Sequence, residues 1–265
     1  MSKKKYVGVY STTLKDGTPS FRASITYCGK HISLGSYYDI RSASKAYEDA
    51  AAVLDDPTRD ITSYKKSMTL PFEKFVTLIN FRDKGMYISN PIYLEKKYFL
   101  YYLSQTRVLK FDIDDLFYYS SHKIMQRGSH LFVADYGSQL SVLARYGIKS
   151  YAVEGRDYFF ANDDRNDLRY ENIVVLNRYR GVRQYTHKGF VRYKSVIHIK
   201  SNYVVGKYNT EAEAAIAYNK AADILIRNGI KKNFQQNYIE DLSPSQYADL
   251  YLKVKIAPSI YELRA

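Results

Sequence analysis

The sequence predicts an α+β protein, and three observations carry that prediction. Short segments alternate apolar and polar residues with a period of two, then switch to a helical period of about 3.6. The switch recurs 171 residues further along the chain, which marks an internal repeat. Finally, 46 % of the 265 residues are apolar, enough to bury real cores. The expected architecture is two small modules, each a three-stranded antiparallel sheet packed on one helix, flanking a central α+β domain. The boundaries fall at 1–60 for the first module, 61–177 for the centre, 178–240 for the second module, and 241–265 for a C-terminal helix and tail.

In chain order, residues 7–10, 21–27 and 31–35 read as strands, with Phe21, Ala23 and Ile25 on one face and Arg22, Ser24 and Thr26 on the other. Cys28-Gly29-Lys30 supplies the turn between the second and third. Ala43, Ala46, Tyr47, Ala50, Ala51 and Leu54 then take helical spacing behind Asp39 as N-cap. The centre reads as a helix from Leu70 to Asn80, tyrosine-rich strands around Tyr87–Leu103, a helix from Asp112 to Gln126 stopped at Gly128, and further strand. In the second module Tyr193, Ser195 and Ile197 alternate with Lys194, Val196 and His198, and the hairpin closes through Lys200-Ser201-Asn202. Its helix carries Ala214, Ala217, Tyr218, Ala221, Ala222 and Leu225 behind a Thr210/Glu213 capping box. A last helix spans Ser243 to Lys255, with Pro244 in its first turn. Its stripe of Tyr247, Leu250, Tyr251 and Val254 either folds back onto the body or pairs two chains as a homodimer.

The repeat is gapless from Gly35–Leu54 to Gly206–Leu225, where eight of twenty positions are identical. Upstream, Tyr6-Val7-Gly8-Val9 recurs as Tyr179-Arg180-Gly181-Val182. The two copies also hold the charge. Residues 1–36 carry six bases, Lys3, Lys4 and Lys5 among them, against one acid; residues 178–208 carry eight against none; the formal charge of +13 is thereby accounted for. A basic excess concentrated in this way points to a polyanionic partner. No window approaches a membrane span and the basic start lacks an apolar stretch behind it, so a soluble, intracellular, cytoplasmic protein without membrane contact is expected. The single cysteine, Cys28, excludes an internal disulfide and a cysteine-based zinc site.

Catalytic patterns are weak. His122 and His130 flank the expected helix end without ligands at metal spacing, and read as surface or capping histidines. Asp112, Asp114 and Asp115 read as an acidic helix start. Walker, dinucleotide and Gly-x-Ser-x-Gly patterns are absent, and no cofactor or metal is expected. The aromatic density of residues 61–145 reads as core, with single-strand base stacking as the alternative.

The start "YRGVRQ", the glycine-x-tyrosine after the third strand and the helix "EAEAAIAYNKAA" resemble the plant APETALA/ethylene-response-factor DNA-binding domain, over residues 6–54 and 179–225. The resemblance implies a sheet laid in the major groove of double-stranded DNA, with the helix packed behind it. Carried over by position, the DNA-facing set of the second copy is Arg180, Arg183, Lys194, Val196, His198, Asn202 and Val204, with Lys188, Arg192 and Lys200 beside it. In the first copy it is Tyr10, Arg22, Ser24, Thr26, His31 and Ser33, with Lys15 and Lys30 beside it. Arginine can hold guanine bidentately and lysine neutralises phosphate. The family's sheet tryptophans are missing, and Val7 and Tyr10 stand where it has arginines, which implies weaker contact by the first copy with a different sequence preference.

Residues 146–177, with "YFFANDDRNDLRYENIVVLN", resemble the tail of an HNH homing endonuclease, Asp167, Arg169, Glu171 and Asn172 being in register. Phe160 stands at the general-base histidine, Phe159 at the preceding aspartate and Leu168 at the central asparagine. Phenylalanine neither accepts a proton nor binds metal, so the resemblance implies a nuclease scaffold without its chemistry. The expected function is therefore that of a transcription-factor-like, nucleoid-associated DNA-binding protein of a bacterium or phage, and not an enzyme. The rivals are a nuclease using Asn162, Asp164 and Asn172, the Asn162-Asp163-Asp164 stretch otherwise reading as a turn, and a decoy whose basic faces meet an acidic protein.

Overall fold

The computed structural model describes residues 6–265, so Lys3, Lys4 and Lys5 of the first basic window lie outside the described residues. The chain is α+β, built from small antiparallel sheets and short helices. Its contacts divide it into two compact units, residues 1–140 with 164–170, and residues 141–163 with 171–265. Among the described residues, no helix is long and apolar enough to cross a membrane.

The first unit opens with strands β1 (Val9–Thr13), β2 (Pro19–Tyr27) and β3 (Lys30–Tyr37), a sheet in the order β1-β2-β3. Helix α1 (Ile40–Asp55) covers one face of it, burying Ala43, Ala46, Ala50, Val53 and Leu54 against Ala23, Ile25, Ile32 and Leu34. Alanine at the contact removes side-chain bulk and lets the helix axis approach the sheet closely. Asp39 caps α1 through the backbone and hydroxyl of Ser42. The same core continues into α2 (Phe72–Lys84), whose Phe75, Leu78, Ile79 and Phe81 join it. This helix runs to Lys84 rather than to Asn80, because the left-handed residue that ends it is Gly85.

Strands β4 (Ile92–Leu94), β5 (Tyr98–Tyr102) and β6 (Val108–Asp112) form a meander with Phe99, Tyr101, Leu109 and Phe111 buried. The helix expected from Asp112 to Gln126 is not there. After a turn at 113–115 the helix α3 covers only Leu116–Ser121, and β7 (Ile124–Arg127) pairs with β8 (His130–Asp135), followed by β9 (Ser138–Ser141). Gly128 therefore turns a hairpin, at φ +60°, instead of stopping a helix. His122 caps α3, its ring stacked on Tyr118 with the centroids 4.1 Å apart.

The second unit contains the hairpin of β10 (Tyr158–Phe160) and β11 (Ile173–Val175), then the sheet of β12 (Val182–His187), β13 (Phe190–His198) and β14 (Asn202–Tyr208), covered by α4 (Glu211–Arg227). The capping box of Thr210 with Glu213 is present. Ala214, Ala217, Ala221, Ala222 and Leu225 bury against Val182, Ile197 and Val205. Helix α5 (Pro244–Lys253) folds back on α4: Asn219 Nδ2 donates to the Tyr247 hydroxyl at 3.0 Å, the Tyr251 hydroxyl donates to Asp223 at 2.7 Å, and Lys220 donates to three carbonyls at its end. The apolar stripe expected as a possible homodimer contact is thus used within the chain. A short α6 (Pro258–Glu262) closes the unit.

Candidate nucleic-acid interface

The face of each sheet opposite its helix is set by strand register. In the second sheet Arg183, Lys194 and Lys207 lie directly opposite one another across all three strands. In the first sheet Tyr10, Arg22 and Ser36 make the equivalent row. Among the described residues neither the Arg183 nor the Lys194 side chain forms a hydrogen bond or ion pair, and the Lys207 ammonium lies 6.0 Å from the Tyr185 ring. Arg22 is exposed and Tyr10 is 60 % exposed.

Both copies carry a bulge at the same place. Between Ala23 and Ser24, and between Ser195 and Val196, the register with the third strand slips by one residue, Leu34 and Val205 being the extra ones. The slip turns the third strand over, so that beyond the glycine the outward residues are Ser36 and Lys207. Unbroken alternation misses both. The signal available for them was the glycine repeated at 35 and 206, since a strand glycine marks a bulge.

Ser24 and Val196 are corrections. Both are buried, at 7 % and 6 % exposure. They sit in the bulge, where the chain just before the first strand closes on them: Ser24 N donates to Gly8 O at 2.9 Å and Val196 N to Gly181 O at 2.7 Å. Arg180 is also displaced from its expected strand position, because β12 begins only at Val182. Its guanidinium lies 4.5 Å over the Tyr151 ring and donates to Gln235 Oε1 at 3.0 Å.

The other expected contacts occupy sheet margins and turns. Lys15 and Lys200 are exposed in loops, Lys188 is at the tip of the β12–β13 hairpin with φ +49°, and Lys30 lies 5.2 Å over Tyr87. Arg192 bonds Asn209 and lies 5.9 Å over Phe190. Thr26 and His31 pair at 3.4 Å, His198 and Asn202 at 3.1 Å, closing equivalent hairpin ends, while Ser33 and Val204 are exposed.

In the nuclease-like stretch Phe160 and Leu168 are both core, at 6 % and 2 % exposure, and Phe159 is 38 % exposed. Asp167 is paired with Arg169 at 2.6 Å; burial opposes its charge, yet the Arg169 bonds outweigh burial and hold the carboxyl below the usual range. Asn172 accepts from the Asn162 amide, and Asp164 from the Asn166 amide, as loop-closing bonds. Glu171 is exposed. Among the described residues no group of three or more His, Cys, Asp and Glu side chains could hold a metal ion. Compared with known proteins, the chain matches no family model, no curated protein and no solved structure.

Proposed function

We propose that the chain is a sequence-preferring, double-stranded DNA-binding protein, transcription-factor-like in role, that lays the outer faces of its two sheets in the major groove, the second sheet being the stronger reader. The carrying observation is the row Arg183–Lys194–Lys207. Like charges directly opposite one another destabilise a sheet, so three cations side by side with no carboxylate among them cost folding energy and call for an anionic partner. The dimensions agree: strands spaced about 4.8 Å apart span about 10 Å over three strands, against a major groove about 12 Å wide. The resemblance to the plant DNA-binding domain supports the same face. Under this reading the nuclease-like stretch is a spacer without catalysis, Phe160 and Leu168 filling a core where the chemistry would need a base and a ligand.

Selection of sites from randomised duplexes tests the proposal, with enrichment of a motif expected. A face built for an acidic protein would enrich none. On the selected duplex, Arg183→Ala and Lys194→Ala are each expected to weaken binding by about 1–3 kcal/mol; unchanged affinity for both at fixed salt would remove the second sheet as reader. Incubation of plasmid with Mg²⁺ or Mn²⁺ is expected to leave it uncut, and cleavage abolished by Asp164→Ala would restore the nuclease reading.

A further inference from the structure

Beside the outer face of the second sheet, where β12 begins, the second unit holds a cavity of about 370 Å³. Arg156, Arg180, Arg183 and Lys232 line it against a single carboxylate, Asp157. That carboxylate is already neutralised, since Arg156 binds both of its oxygens, the shortest contact being 2.6 Å. Three cationic side chains therefore face the space without a counter-charge.

Arg180 is held in place before any ligand arrives. Asn237 accepts from its backbone N–H at 2.7 Å and donates to its carbonyl at 3.1 Å, and Gln235 and Tyr151 fix the guanidinium. Lys232 donates to the carbonyls of His198 and Ile199 at 2.9 and 3.3 Å, leaving one of the three ammonium protons for a ligand. Tyr151, Tyr179 and Phe234 supply aromatic wall. The volume lies in the range of small-molecule sites and exceeds what a bare phosphate fills.

We infer that this cavity binds a nucleotide: its phosphate on Arg180, Arg183 and Lys232, its sugar and base against the aromatic wall. The nucleotide comes either from the DNA strand or from the free pool, and the inference stands apart from the DNA-binding reading because it can be tested without duplex.

The experiment is calorimetric titration of the full chain with thymidine 5′-monophosphate and, separately, with thymidine, up to about 1 mM, the scale at which binding is still worth several kcal/mol. The expected result is saturable binding of the monophosphate alone, weakened about tenfold or more in Arg183→Ala and Lys232→Ala, as loss of a charge-assisted bond requires. Because Lys232 also caps the end of β13, thermal melts accompany each variant; Arg183, whose side chain bonds nothing among the described residues, probes the cavity without that complication. Equal binding of thymidine and its monophosphate, no binding of either, or undiminished binding by Arg183→Ala overturns the inference. A parallel titration with the selected duplex separates the sources: competition identifies the DNA strand, coexistence a free nucleotide. Duplex binding without monophosphate binding defeats the cavity and spares the DNA-binding reading; the converse result does the opposite.

Discussion

Gly8 and Gly181 have left-handed backbones, φ +68° and +74°, and in each case a Cβ would overlap the ring of Tyr47 or Tyr218 and the carbonyl of Ser24 or Val196. The repeated Gly-Val and the repeated helix tyrosine are thus one contact written twice. Gly181→Ala and Gly8→Ala are expected to destabilise by about 3 kcal/mol, from the left-handed conformation and the overlap together. Gly17 shares the positive φ, +85°, but has open space around it, so Gly17→Ala should lose only about 1 kcal/mol. Chemical denaturation of the three variants makes the comparison. The repeated Tyr37 and Tyr208 have diverged: one donates to Leu34 O within its sheet, the other to Lys255 O, where burial pushes its hydroxyl up to about 12.

At the scale of elements, the two helices begin by different means. Thr210 caps α4 through a neutral hydroxyl in a box with Glu213, and Thr210→Ala is expected to cost about 1 kcal/mol. Asp39 caps α1 as a carboxylate, and the Ser42 hydroxyl and amide hold it below its ordinary range. A lowered folded-state pKa gives stability that is complete above the unfolded value and lost as pH falls through the folded one. Melting followed from pH 6 to pH 2 should therefore show Asp39→Asn abolishing part of the acid sensitivity, whereas Thr210→Ser leaves it intact. The bulge is the other shared device, and it decides which side of the third strand Lys207 occupies.

For the whole molecule the two outer faces differ in chemistry. One row is Arg183, Lys194 and Lys207, the other Tyr10, Arg22 and Ser36. Binding governed by phosphate neutralisation falls with salt, and each phosphate contact removed lowers the logarithmic salt slope by about 1; Lys207→Ala is expected to do so in titrations at several ionic strengths. Giving the first copy the second copy's row, Tyr10→Arg with Ser36→Lys, should raise duplex affinity and steepen that slope. An unchanged affinity in the double variant would show that the first sheet does not meet DNA.

The sequence by itself determined the α+β class, the twofold module, both alanine-striped helices and their caps, because the periodicity and capping of these segments are local properties that their packing reinforces. It also determined where the charge is concentrated. Only the tertiary structure decided which charges share a surface. Register across strands and a one-residue bulge brought Lys207 into line with Arg183 and Lys194, and the chain at Gly8 and Gly181 closed over Ser24 and Val196. Contacts with Asn237, Gln235 and Tyr151, far apart in the chain, drew Arg180 off the sheet and into a cavity. Hydrogen-bond partners distant in sequence leave no periodic trace, so neither the row nor the cavity could be read from the order of residues alone.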